Sequence, residues 1–385
     1  MKLSLVTETF PPDVNGVANT LGRWVDAFTN RGHQVQILRP KHARDPWAMQ
    51  TVAACPVPFY PEVRIGLPWP GQVIRTLKQH RPNLIHVATE GLLGFVSLLA
   101  ASRLRIPIVS SFHTHFDRYC EHYGMGWIRS LGLHYLRWFH NRTRSTLAPS
   151  RATCKQLIEA GFKRVALWSR GIDDQCFHPN KRSYELRHTW GAGEHECVIL
   201  YVGRLAQEKN LTLLVNAFQQ LRSRPKQESF NAVLVLVGDG PMRPWLEQQQ
   251  NTGVLVAGIL RGEALAQAYA SADLFAFPSR TETFGNVILE AQASGLAVLA
   301  MNDATMCERI QHQSTGWLAK NDQDFREAMW HLIIQPNLRR ELGHKARLAA
   351  ETQSWQPIFD QLEQYYLDII FNFHKGKYAA RLNLL

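Results

Sequence analysis

The sequence predicts an α/β protein built from two Rossmann-like units, each a parallel sheet with helices on its faces. Three observations carry that expectation. Short apolar runs alternate with amphipathic helical patterns, which is the signature of strand–helix–strand units. The alternation ends near residue 170 and then starts again. The chain has 385 residues, 45% of them apolar, enough for two cores and too many for ordinary single-core folding.

In the first half, Leu3–Val6, Val35–Leu38, Leu84–Val87, Ile106–Ser110 and Thr146–Ala148 read as buried strands, because they are short, continuous and bounded by polar, Gly or Pro residues. Between the first two, Val17, Leu21, Trp24, Val25 and Phe28 recur at helical spacing over Gly16–Asn30. In the second half, Val198–Val202, Ala232–Val237, Val254–Ala257, Leu274–Phe277 and Ala297–Ala300 form a second strand set, with helices over Leu211–Leu221 and Thr283–Ser294. The turn-rich segment Arg170-Gly171-Ile172-Asp173-Asp174 is the expected joint. After Pro357, the spacing of Phe359, Leu362, Tyr366 and Ile369 predicts a final amphipathic helix. The domains are therefore expected at 1–170 with 358–385, and at 171–357.

Composition excludes several function classes. No apolar run reaches the ~18 residues of a membrane span. The opening Met-Lys-Leu-Ser-Leu-Val-Thr-Glu8 is not a secretory signal. Six scattered cysteines with no C-x-x-C pair argue against a zinc ribbon or a thioredoxin-type site and suit a reducing cytoplasm. The net charge of +11 is uneven: residues 1–170 hold 22 Lys and Arg against 9 Asp and Glu, and residues 171–385 hold 21 against 23. Such asymmetry points to an anionic partner or to a solvated basic face. No basic–aromatic nucleic-acid module or helix-turn-helix signal accompanies it, so no nucleic-acid partner is expected.

Ligands of a Rossmann-like unit gather at the carboxyl ends of its strands. The loop from Glu8 to Gly16 lies there but lacks the G-x-G-x-x-G fingerprint, which disfavours an ordinary NAD site. Val237-Gly238-Asp239-Gly240-Pro241 reads as a strand-to-helix turn. In Tyr201-Val202-Gly203-Arg204-Leu205-Ala206-Gln207-Glu208-Lys209, a glycine turn is followed by two cations before a helix. A guanidinium fork and a point ammonium there suit a diphosphate, although two solvated surface cations would give the same pattern. Glu282 and Glu290 are eight residues apart, on about the same side of a predicted helix that Thr283 can cap. Carboxylates at a pocket mouth suit sugar and ribose hydroxyls, and Gly285 would let a ligand approach the backbone.

Together these motifs resemble the family 4 retaining glycosyltransferases. The likeness rests on Gly203-Arg204…Lys209-Asn210, Gly238-Asp239-Gly240-Pro241 and Glu282-Thr-Phe-Gly-Asn-Val-Ile-Leu-Glu290, with Pro11-Pro12…Gly16-Val17 and Gly171-Ile172-Asp173…Phe177-His178-Pro179 in the same order. It implies a GT-B fold, with two Rossmann-like domains across a donor and acceptor cleft and a last helix returning to the N-terminal domain. It further implies that 1–170 binds the acceptor and 171–357 the nucleotide sugar. Arg204 and Lys209 would hold the donor diphosphate, Glu282 the transferred sugar and Glu290 the ribose. Phe284, Gly285 and Asn286 would offer amides, with Val287 near the ribose or phosphate. Ile259 and Leu260 would lie near the base, while Gly203 and Gly16 would allow loops close to the diphosphate. His113 matches a family histidine beside the donor sugar. No Asp-x-Asp pair is present for a bridging metal, so no metal or other cofactor is expected, with the two cations replacing a divalent ion.

The acceptor is read from residues 111–139. His113, His115 and Tyr119 follow a buried strand. Trp127, Ile128, Leu131, Tyr135, Trp138 and Phe139 share a predicted helical face with Arg129 and Arg137 nearby, which suits an interfacial helix on anionic lipid or an ordinary packed helix. The His113…Tyr119…His122 run also resembles transferases that glycosylate diacylglycerol and other membrane lipids. The expectation is a hexosyltransferase using a UDP-sugar or GDP-mannose on a lipid or glycolipid acceptor. It would act from the cytoplasm at the inner face of the cytoplasmic membrane. A soluble or polysaccharide acceptor is the alternative.

Overall fold

A computed structural model of the chain describes residues 1–13, 15–41, 50–57, 60–113, 126–223, 231–249, 252–280 and 284–382, with backbone alone at 56–57, 60–63, 126–130 and 376–382. Its contacts divide these residues into two units, 1–169 with 356–382, and 170–355.

The first unit is a twisted sheet of eight strands: β1 (Lys2–Val6), β2 (Gln34–Pro40), β3 (Gln50–Val57), β4 (Tyr60–Leu67), β5 (Leu84–Val87), β6 (Ile108–Ser111), β7 (Thr146–Ala148) and β8 (Val165–Leu167). Their order is β4-β3-β2-β1-β5-β6-β7-β8, parallel throughout except for β3 against β4. The helices are α1 (Gly16–Asn30), α2 (Pro70–His80), α3 (Leu92–Leu104), α4 (Gly126–His140) and α5 (Arg151–Glu159). Helix α1 starts because Asn15 accepts the Ala18 amide at 2.8 Å, and it buries Leu21, Trp24, Val25 and Phe28 along one stripe.

The second unit begins with α6 (Tyr184–Thr189). It continues with β9 (Cys197–Val202), α7 (Leu211–Arg222), β10 (Ala232–Val237), α8 (Arg243–Glu247), β11 (Val254–Gly258), α9 (Gly262–Ser271) and β12 (Leu274–Phe277). It ends with α10 (Asn286–Ala293), β13 (Ala297–Met301), α11 (Ala304–Arg309), β14 (Trp317–Ala319), α12 (Asp322–Ile334) and α13 (Pro336–Glu351). The six strands run parallel in the order β11-β10-β9-β12-β13-β14. Every residue of β9 is buried, as expected of a strand covered on both faces.

Helix α14 (Trp355–Leu382) follows, and from Gln356 onward it belongs to the first unit. Phe359, Leu362 and Tyr366 are buried there. Each such burial contributes about 2 kcal/mol. Arg31 binds Asp360 at 2.6 Å and Glu363 at 2.8 Å, and Tyr365 donates to Ser145 Oγ at 2.7 Å.

The structure departs from the sequence reading in four places. The β3–β4 hairpin carries Pro56 and Pro61 and leaves Cys55 exposed, so it shows neither a continuous apolar run nor a clean alternation. Strands β8 and β14 have three residues each, too short for a pattern. Helix α10 begins at Asn286 rather than Thr283, with Gly285 as its left-handed cap (φ 79°). The last helix begins at Trp355 and not after Pro357, because Pro357 falls in its first turn, where no amide partner is needed.

Candidate active site

In the second unit, three loops at the carboxyl ends of β9, β10 and β11 are bound to one another through their backbones. Gly203 donates to Val237 O at 3.0 Å, Leu205 to Asp239 O at 2.9 Å, Met242 to Leu205 O at 2.8 Å and Gly238 to Gly258 O at 2.8 Å. Gly238 has φ 143°, and a Cβ there would run into the Gly203 carbonyl oxygen. The turn at Gly238 is therefore more than a connection, since it holds the Arg204 loop in place.

Arg204 pairs with Glu208 at 2.7 Å, and the Glu208 side chain is 1% exposed. The Tyr201 hydroxyl donates to the Arg204 carbonyl at 3.0 Å. The buried carboxylate fixes where the guanidinium points, and the phenol fixes the backbone beneath it. Lys209 is half-buried at the end of a short 3-10 turn (Gln207–Lys209), from which Asn210 (φ 55°) leads into α7. Arg204 and Lys209 thus both lie on the short segment between β9 and α7.

At α10, Gly285 is buried and Asn286 and Val287 are half-buried in the first turn, so the sequence Gly-Asn-Val brings amides to the start of a helix. Phe284 is buried, with the Arg309 guanidinium 3.9 Å from its ring centre. Burial pulls Arg309 down to about 10, which leaves it charged at neutral pH. Glu290, one turn along, accepts a hydrogen bond from Tyr269 at 2.8 Å. Burial, then the Glu290 carboxylate, push the Tyr269 phenol far above its ordinary range, so it remains a neutral donor. Ile259 is 46% exposed just after β11, whereas Leu260 packs partly against the core. Glu282 lies outside the described residues.

In the first unit, Gly16 opens α1, exposed, beside its cap Asn15. The loop before it is held by the buried Arg39, which donates to Pro11 O at 2.9 Å and Phe10 O at 3.3 Å. His113 follows β6, half-buried, with Nε2 2.8 Å from Ser111 Oγ and its ring edge-on to Trp168. His115 and Tyr119 lie outside the described residues. Trp127 and Arg129 fall on the first turns of α4, with only their backbone described. Trp138 is half-buried, stacked on Phe95 at 5.9 Å and covered by Arg142 at 4.0 Å. On the described part of this helix Leu131 is 67% exposed and Tyr135 is exposed as well, while Leu136 and Phe139 are buried.

The sequence reading passed over Glu8 and the polar residues behind His113. Glu8 sits at the end of β1 with its carboxyl against Gly91, and burial raises it to about 7. Glu90 adds to that rise, while the Leu93 and Gly66 amides oppose it. Glu90 also accepts from His140 at 3.0 Å and, through its carbonyl, from Tyr135 at 2.5 Å. A carboxylate straight after a buried strand was the available signal for Glu8. Among the described residues no group of three His, Cys, Asp or Glu side chains could hold a metal. No helix among them is long and apolar enough to cross a membrane.

Comparison with known proteins assigns the chain. Residues 14–175 match the family model described as Glycosyltransferase Family 4, and residues 196–335 match Glycosyl transferases group 1. The chain is 31% identical over 384 residues to a GDP-mannose-dependent alpha-mannosyltransferase of Corynebacterium glutamicum, covering 96% of this chain and 89% of that protein. It is 26% identical to an alpha-monoglucosyldiacylglycerol synthase of Streptococcus pneumoniae, covering 97% and 88%. Its fold matches that of Anabaena HepE in complex with UDP-glucose, with a TM-score of 0.77, 20% identity, and coverage of 96% of this chain and all of that one. Loops sewn together at strand carboxyl ends, two Rossmann-like units and similarity along almost the whole length lead to one conclusion: the chain belongs to glycosyltransferase family 4 and has the GT-B fold.

Proposed function

We propose that the protein transfers a hexose from a nucleotide sugar to a membrane lipid or glycolipid, with retention of configuration and without a metal ion. GDP-mannose is the first candidate donor and a UDP-sugar the second. The observation that carries the reading is similarity to a GDP-mannose-dependent mannosyltransferase over 96% of the chain, joined to Arg204 and Lys209 after β9 and Glu290 in the helix after β12, the strand paired with β9.

In this reading the donor's diphosphate lies against Arg204, Lys209 and the Gly285–Val287 amides. Glu290, steadied by Tyr269, accepts from the ribose. Ile259 and Leu260 flank the base. Gly203 keeps the first loop tight, and Gly16 allows the Glu8–Asn15 loop to approach the diphosphate. Glu282 and His113 contact the transferred sugar. The bond from C1 to the phosphate oxygen breaks as charge grows on that oxygen, which the two cations and the amides stabilise. The acceptor oxygen bonds to C1 on the same face, and its proton passes to the departing phosphate.

A lipid acceptor is supported by the diacylglycerol-glucosylating relative and by the basic excess of residues 1–170. His115, Tyr119, Trp127, Arg129 and Trp138 belong to the acceptor and membrane side of this proposal. It places the protein at the inner face of the cytoplasmic membrane, on an anionic surface. Incubation with GDP-mannose and vesicles of diacylglycerol and anionic phospholipid tests it. A glycolipid product with an α-anomeric proton by NMR is expected. Product formed on soluble sugars and never on vesicles would overturn the lipid reading.

A further inference from the structure

Behind His113 lies a row of buried polar side chains that ordinary packing does not require. Tyr366 Oη is 2.7 Å from His86 Nδ1, His86 Nε2 is 2.9 Å from Ser111 Oγ, and Ser111 Oγ is 2.8 Å from His113 Nε2. Tyr366 and Ser111 are fully buried and His86 is 1% exposed. His86 lies in β5, where its neighbours Leu84, Ile85 and Val87 are apolar and buried. A histidine in the middle of a parallel sheet costs free energy unless both ring nitrogens are bonded, and here both are. Its ring is wedged edge-on by Trp24 at 5.7 Å and Trp168 at 5.3 Å. Ser110 points to the other face of the sheet and joins a different set, through His140 Nδ1 at 2.8 Å.

We propose that Tyr366, His86 and Ser111 are positioning residues for His113, a hydrogen-bond chain that sets its tautomer and ring orientation. The proposal rests on the reading that His113 faces the transferred sugar. Each link of the row can donate or accept, so the row runs in one of two directions, and a change of direction has to flip every link together. In either direction, which hydrogen His113 Nε2 carries or accepts is fixed by Ser111 and the residues behind it, so the tautomer and the ring orientation of His113 are set from within the sheet. A ring held this way meets the transferred sugar without reorganising. The chain begins on α14, so docking of the C-terminal helix and the state of His113 are coupled within one unit.

Kinetics of the full-length protein test this, with nucleoside diphosphate release measured against donor concentration. Ser111→Ala and Tyr366→Phe are each expected to lower kcat about tenfold, with donor KM within about twofold. Ser111→Thr, which keeps the hydroxyl, restores most of the loss. In a His113→Ala background, neither change lowers kcat by more than about twofold, because the group they act through is gone. An equal loss in both backgrounds would mean a merely structural role and overturn the chain. So would full activity of Ser111→Ala and Tyr366→Phe beside an impaired His113→Ala. Wild-type kcat in His113→Ala itself would instead remove the reading of His113, and the chain with it. Thermal melting of each variant separates loss of fold from loss of turnover.

Discussion

Glu208, almost wholly buried, holds Arg204 by a 2.7 Å ion pair in the loop that leaves β9. A guanidinium oriented before the ligand arrives loses less freedom on binding, which is how a charge becomes useful for a transition state. Glu208→Gln keeps the shape and removes the charge. It is expected to lower kcat/KM about tenfold through a misdirected Arg204. Lys209→Ala and Glu282→Ala should each lose about 100-fold or more in kcat. Steady-state kinetics check all three, and near-normal turnover in Lys209→Ala and Glu282→Ala would remove the site assignment.

Glu290 and Tyr269 give a different signature. A ribose contact is made equally in the ground and transition states, so its loss appears in KM. Glu290→Ala should raise donor KM by about 10- to 100-fold, and Tyr269→Phe by less than tenfold, with kcat nearly constant in both. A fall in kcat at constant KM would place Glu290 at the reacting centre.

The residues of this region differ in how plainly the sequence announces them. The strands around the site are continuous apolar runs, and Leu84–Val87, Ala232–Val237 and Leu274–Phe277 fall where the pattern puts them. Gly203, Arg204 and Lys209 are close in sequence, so their loop is legible as a unit. The partnership of Glu290 with Tyr269 spans 21 residues and that of His86 with Tyr366 spans 280, and no local pattern encodes either. The cap at Gly285 was misplaced because Thr283 is the better capping residue by type, while the left-handed turn at Gly285 decides the start. For Trp138 the periodicity leaves an interfacial and a packed helix both open, because it shows a face without showing what covers it; Phe95 and Arg142 against the ring are contacts that no local pattern encodes.

Glu8 sets a pH dependence of stability. Its folded value of about 7 lies above the ordinary 4.5, chiefly through burial. The folded state therefore binds more protons than the unfolded chain between these values, and stability falls as pH rises from about 4.5 to 7. The charged carboxyl then costs up to about 3 kcal/mol. Glu8→Gln should accordingly be more stable than wild type at pH 8, with the advantage gone near pH 4.5. Urea denaturation at the two pH values measures this, and a gap independent of pH would contradict it.

Metal removal is the next expected outcome. If Arg204 and Lys209 take the place of a divalent ion at the diphosphate, as proposed above, turnover in EDTA should stay within about twofold of the untreated rate. Abolition by EDTA with rescue by magnesium would refute the metal-free reading.

The most direct measurement is nucleoside diphosphate release from a panel of GDP- and UDP-sugars, with and without vesicles of diacylglycerol and anionic phospholipid, for wild type and Lys209→Ala. The account predicts release from one donor, strongly raised by vesicles and lost in the variant. Release from no nucleotide sugar, or release unchanged in Lys209→Ala, would contradict it.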